Sequence, residues 1–157
     1  MLSQKAKYAL KALLALANAP EGKLLQSGEI AAQESVPKKF LDLILLELRK
    51  HRMVDSVRGK KGGYILGRSA NDIMIGDIIR VVDGPLAPIA CASVTAYRRC
   101  LDCKNEKACM VRLLMRDVRD AASGILDNLS LAEAAERGIA CGAPPARRRK
   151  RALAKVA

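Results

Sequence analysis

Tyr8, Ala9, Ala12, Leu13, Leu16 and Ala17 recur at intervals of three and four, the spacing of an amphipathic helix from about Ser3 to Asn18. Pro20 and Gly22 end it. Leu24 and Leu25 suit a short strand or turn, and Ser27 offers an N-cap for a brief helix through about Glu34, with Ile30 and Ala31 on its apolar face. Ser35 and Val36 make a tight break. Pro37 then suits the first turn of a third helix running to about Lys50, with Phe40, Leu41, Ile44, Leu45 and Leu48 facing inward. One short and one longer helix joined by so brief a turn predict a helix-turn-helix.

Beyond the third helix the pattern changes. Met53–Arg58 and Tyr64–Leu66 read as two short strands around Gly59, Lys60, Lys61, Gly62 and Gly63, a hairpin with a cationic tip. A hairpin directly after a helix-turn-helix is the wing of a winged-helix domain. Its glycines let the backbone, Gly62 included, approach a groove while Arg58, Lys60 and Lys61 meet phosphate or the minor groove. A further helix from about Ile75 to Val82 closes this module before Asp83, Gly84 and Pro85. Periodicity then fails from Leu86 to Lys107. It returns as one long stripe of Val111, Leu114, Val118, Ala121, Ala122, Ile125 and Leu129, opposed by Arg112, Arg116, Arg119 and Asp120. A helix of that length projecting from a small domain needs a cover, and a second copy of itself is the economical one, so a homodimer is expected. Ser130 with Glu133 three residues on marks the capping box of a last short helix to Arg137.

The expected fold class is therefore mainly α with a small β-hairpin wing: a winged helix-turn-helix domain plus a long dimerisation helix. The chain divides into a DNA-binding domain at 1–85, a cysteine-rich loop at 86–109, the dimerisation helix and short helix at 110–137, and a basic tail at 138–157 that reads as disordered. A chain of 157 residues, half of them apolar, suffices for one main core.

Charge narrows the function. The net charge is +12, and half of the excess lies beyond Gly142 in Arg147, Arg148, Arg149, Lys150, Arg151 and Lys155, an arm for phosphate or a solubilising tail. The folded part is still basic and favours a phosphate-rich partner. No Trp, one Phe and three Tyr leave little for stacking on single-stranded bases, so duplex DNA read by a helix is expected. Lys38 and Lys39 open the third helix, where two cations oppose the helix dipole and point to an anionic partner. No apolar run is long enough to cross a membrane. Met1–Ala19 is interrupted by Lys5, Lys7 and Lys11 and reads as a helix rather than a signal peptide, which makes the protein cytoplasmic by expectation.

Four of the five cysteines, Cys91, Cys100, Cys103 and Cys109, fall within nineteen residues. In a reducing compartment such a cluster marks metal ligands or redox thiols more often than disulfides. Thiolates hold iron in clusters and also hold zinc in a tetrahedron, and spacing does not separate the two. Cys141 stands apart as a bystander. His51, the one histidine, sits where the third helix ends and suits a capping role. There is no nucleophile–base pair and no phosphate loop, so neither an enzyme nor a small-molecule substrate is expected.

The residues Tyr8-Ala9-Leu10 with Ala12-Leu13, the block Glu29-Ile30-Ala31, and above all Ser56-Val57-Arg58-Gly59-Lys60-Lys61-Gly62-Gly63-Tyr64 resemble the bacterial winged-helix regulators typified by IscR, NsrR, RirA and CymR. The resemblance extends over roughly residues 1–130, including Ile78–Pro85. It implies a homodimeric transcription factor, and in many members an iron-sulfur cluster held in the loop before the dimerisation helix. Such members usually supply three cysteines from this loop and take a fourth ligand elsewhere; Cys91, Cys103 and Cys109 come closer to that triad, since the final gap of five residues matches while the first gap is longer. IscR uses a His where this chain has Arg112, and NsrR an Asp where this chain has Lys7; neither can ligate. The loop here instead offers four thiolates of its own, with Cys100 the addition, and the nuclearity of a cluster, two-iron or four-iron, stays open. A zinc site or thiol-disulfide switch, and an iron-sulfur scaffold or electron carrier, remain alternatives.

Overall fold

The structure, a computed structural model, describes residues 2–59 and 61–140. Lys60, Cys141 and the basic tail lie outside the described residues. Helix α1 (Gln4–Ala17) begins at Ser3, whose hydroxyl accepts from the Ala6 N–H at 3.0 Å, and buries Ala6, Ala9, Ala12, Leu13, Ala15 and Leu16. Its small residues let other helices approach closely on several sides. Helix α2 (Ser27–Glu34) is capped one residue earlier than the sequence suggests: Gln26 is the N-cap, and its backbone N–H donates to the Glu29 carboxylate at 2.8 Å. A turn through Ser35, with φ of 53°, and Val36 leads to α3 (Lys38–Lys50), with Pro37 at its N-cap.

The inward face of α3 consists of Leu41, Ile44, Leu45 and Leu48. Phe40 corrects the expectation: it stays 42% exposed, its ring edge-to-face with Tyr8 of α1 at 6.0 Å between centroids. It sits on the rim of the apolar stripe.

Strands β1 (Val54–Val57) and β2 (Gly63–Leu66) pair antiparallel, with Val54 opposite Leu66 and Val57 opposite Gly63. Leu25 joins them in a bridge with Tyr64 that anchors the wing to the α1–α2 connection, its N–H donating to the Tyr64 carbonyl at 3.0 Å. At the tip, Gly59 has φ of 117°, and a β carbon on Gly62 would collide with the Val57 carbonyl. Both glycines are thus required by the turn itself.

Helix α4 (Ile75–Asp83) contributes Ile75, Ile78, Ile79 and Val82 to the core. After an irregular segment containing one 3-10 turn at Ala90–Ala92, helix α5 (Met110–Leu126) runs 17 residues with no buried side chain. Helix α6 (Leu131–Ala140) then returns to the domain, and fully buried Leu131 belongs to the same core as α1, α3 and α4. A bridge between Met74 and Ser130 seats it, through Ile75 N–H to Leu129 carbonyl at 2.9 Å and Leu131 N–H to Ile73 carbonyl at 2.8 Å. It also continues past Arg137 and Gly138, where the sequence pattern placed its end.

Candidate functional site

Two features stand apart from the core. The first is the outer face of α2, α3 and the wing. Lys38 donates to Asp42 one turn on at 2.9 Å, and that hydrogen bond, with help from Ser27, holds the Asp42 carboxyl below the usual range. Lys38 is thereby partly neutralised, whereas Lys39, Arg49, Arg58 and Lys61 enter none of the ion pairs formed among the described residues. Arg49 and Arg58 share a cleft of about 370 Å³ with Gln26, Ser27 and the glycines of the wing, and no acid lines it. Arg49 was not singled out by the sequence, since a cation in a last helical turn ordinarily serves the dipole. The fold brings it beside the wing. His51 is the C-cap residue of α3 and lies outside both this cleft and the cysteine pocket.

The second feature is the loop before α5. Cys91 is buried in the 3-10 turn, Cys100 and Cys103 are half-buried in irregular chain, and Cys109 is the N-cap residue of α5. All four thiols are free, and all four line one pocket of about 400 Å³ with Ile89, Lys104 and Arg112 on its wall. Among the described residues no three His, Cys, Asp or Glu side chains are already gathered closely enough to chelate a single ion. The thiols surround a space instead.

Their electrostatics differ. Partial burial, and then the neighbouring Cys109 thiol, push the Cys103 thiol up. Cys109 is pushed down, chiefly by the backbone N–H of Arg112 in the first turn of α5, where unpaired amides favour a thiolate. Two arginines of α5 fasten the loop to the helix: Arg112 Nε donates to the Cys91 carbonyl at 2.9 Å, and Arg119 Nη1 to the Ala92 carbonyl at 2.7 Å. Tyr97 donates to the Glu106 carboxylate, 2.7 and 2.8 Å from its oxygens, and links the two halves of the loop. The carboxylate raises the Tyr97 pKa in return.

A helix-turn-helix followed by a wing, a basic outer face and a projecting amphipathic helix define the winged helix-turn-helix class of DNA-binding transcription regulators. Within that class the model of the Rrf2 family, described as iron-dependent transcriptional regulators, matches residues 2–137, and the chain belongs to this family. It is 41% identical over 152 residues to an Rrf2-like helix-turn-helix regulator of Rhodobacter capsulatus, spanning 94% of this chain and 97% of that one. It is 31% identical over 132 residues to the regulator IscR of Escherichia coli, spanning 84% and 78%. Among solved structures it resembles CymR, the global cysteine regulator of B. subtilis, with a TM-score of 0.71 at 30% identity over 87% of this chain and 97% of that one. IscR of T. potens gives 0.72 at 26% identity over 92% of each. No helix among the described residues is long and apolar enough to cross a membrane.

Proposed function

We propose that this Rrf2-family regulator binds duplex DNA as a homodimer and holds an iron-sulfur cluster on Cys91, Cys100, Cys103 and Cys109, through which it senses iron supply, cluster status or an oxidant such as nitric oxide or oxygen. The carrying observation is that the four thiols, eighteen positions apart at the extremes, line a single pocket at the foot of α5. The donor set fits the group. Thiolates are the ordinary ligands of such clusters, and Cys109 is already biased toward thiolate, chiefly by the Arg112 backbone N–H; on the pocket wall Lys104 and Arg112 are balanced by Asp102 and Glu106. When bound, the cluster supplies a chemical tie across the loop that oxidation or iron shortage removes.

The rest follows from the chain's own residues. Arg112 and Arg119 join the cysteine loop to α5, and Arg80 of α4 joins α5 to the winged domain through Asp127. Order in the loop is thus passed to the helix that sets the spacing of two recognition helices in a dimer. Lys39, Arg58, Lys61, the Gly62 turn and Lys38, released from Asp42, are the proposed DNA contacts, together with Lys60, which lies outside the described residues.

The test is anaerobic purification with visible absorption and assays of iron, acid-labile sulfide and zinc on one sample, followed by DNA binding over a range of salt. A brown protein with comparable iron and sulfide, bleached in Cys103→Ser and Cys109→Ser variants that keep their fold, is the expected result. Stoichiometric zinc in a colourless protein, or a colourless protein after iron and sulfide reconstitution, would remove the cluster and leave the DNA-binding assignment standing. DNA affinity that ignores salt would remove the DNA reading instead.

A further inference from the structure

We infer that α3 reads its operator through apolar contact, with Leu43 and Leu46 seated against the C5-methyl groups of thymines in the major groove. The inference rests on the DNA-binding reading above and adds what sequence feature is read. At 100° per residue, the buried positions Leu41, Ile44, Leu45 and Leu48 occupy one side of α3, and Lys39, Leu43, Leu46 and Lys50 fall on the opposite side. The flanks between them are taken. Toward α1, Phe40 lies against Tyr8, and Glu47 pairs with Lys5 at 2.5 Å. On the other flank, Asp42 is engaged by Lys38 and by Ser27 of α2. Leu43 and Leu46 have no place in the core, at 64% and 48% exposure, and lie between the occupied flanks.

Two large apolar side chains in the middle of a helix's solvent face call for an occupant, and the surrounding charge decides which. Lys39 and Lys50 bracket the leucines on the same face, while Arg49 and Arg58 line the adjoining cleft. An apolar protein surface would have to desolvate these cations without pairing them, whereas duplex DNA offers phosphates on both sides of a groove whose floor carries methyl groups. Leucine has no donor or acceptor, so the bidentate patterns that identify guanine or adenine are closed to positions 43 and 46. The one base-edge feature that rewards an aliphatic side chain is the thymine methyl. The operator half-site therefore carries thymines opposite the middle of α3.

The experiment uses the full-length protein purified without oxygen. Its preferred site is first selected from a randomised duplex pool, and each thymine in that site is then replaced by deoxyuridine, which removes the methyl and leaves the pairing edge intact. Affinity should fall about fourfold at one or two thymines per half-site, the worth of one buried methyl, and 5-methylcytosine at those positions should bind better than cytosine by a similar factor. Leu43→Ala, exposed and helix-favouring, should fold normally and lose the difference between thymine and deoxyuridine. A selected operator whose affinity is indifferent to every deoxyuridine overturns this inference and leaves DNA binding intact. A pool from which no sequence emerges defeats the regulator reading on which it rests.

Discussion

Arg80 and Asp127 meet fork to fork, Nη1 to Oδ1 and Nη2 to Oδ2, both at 2.7 Å, with Asp77 at 3.5 Å on the same guanidinium. The hydrogen bond from Arg80 holds the Asp127 carboxyl below its ordinary value, and the carboxylate raises Arg80 in turn. Because the folded value is depressed, the stabilisation is present above the ordinary aspartate value near 3.8 and is lost as pH falls through the lower folded value. Both side chains are about a third exposed, which discounts the pair. Asp127→Asn is expected to cost about 1 kcal/mol at neutral pH, and urea unfolding at pH 7 and pH 3 should show the gap to the parent closing in acid. A gap independent of pH would assign the cost to packing. On the wing, Arg58→Ala should weaken operator binding and lower the slope of log affinity against log salt by about 2, one phosphate contact from each protomer of the proposed dimer, with the visible spectrum unchanged. An unaltered slope would take Arg58 off the phosphate backbone.

At the scale of elements, what is local in cause was legible in the sequence. The hairpin follows from glycines at a turn that admits little else, as Gly59 and Gly62 show. The last helix follows from a capping box that closes as its spacing implies: the Ser130 N–H donates to Glu133 at 2.8 Å, and the Glu133 N–H to the Ser130 hydroxyl at 3.2 Å. The Ser130 N–H, and then its hydroxyl, which donates to the same carboxylate at 2.9 Å, hold the Glu133 carboxyl below its usual range. Ser130→Ala is expected to cost about 1 kcal/mol by denaturant unfolding, whereas Asn at that position should restore most of it. What depends on distant partners was not legible. The return of α6 to the core needs the bridge between Met74 and Ser130, 56 positions apart, and nothing in the spacing of residues 130–140 announces it. The cysteine spacing marked the site, but its attachment to α5 uses backbone carbonyls at Cys91 and Ala92 that receive arginines 21 and 27 positions away. A carbonyl carries no sequence signal. Likewise the inward stripe of α3 identified the core but not its edge, which is why Phe40 was placed inside.

For the whole molecule the decisive imbalance lies on α5. Val111, Leu114, Val118 and Ile125 are all exposed, with Leu114 at 57%, and no residue of the helix is buried against its own domain. A helix of 17 residues is marginal on its own in water and draws its stability from burying an apolar face. The helix is held by Arg80 to Asp127, by Arg119 to Ala92 and by Leu126 against the core at its C-terminal end, which leaves Val111, Leu114, Val118 and Ile125 open; Leu129, the last residue of the stripe expected from the sequence, lies beyond the helix and packs against the core instead. In the proposed homodimer a second copy related by a two-fold axis would cover the stripe with itself, and would set two α3 helices to meet successive major grooves about 34–36 Å apart on one face of a duplex. Leu114→Glu combined with Val118→Glu puts charges at the middle of that contact. It should yield a monomer by light scattering at micromolar concentration, with the winged domain still folded by circular dichroism because neither side chain contributes to its core. Operator affinity should drop at least a hundredfold, since each half-site must then be bound without the effective concentration that its neighbour provides. A dimer that survives both glutamates would move the interface off α5 and require another route from the cysteine loop to the spacing of the recognition helices.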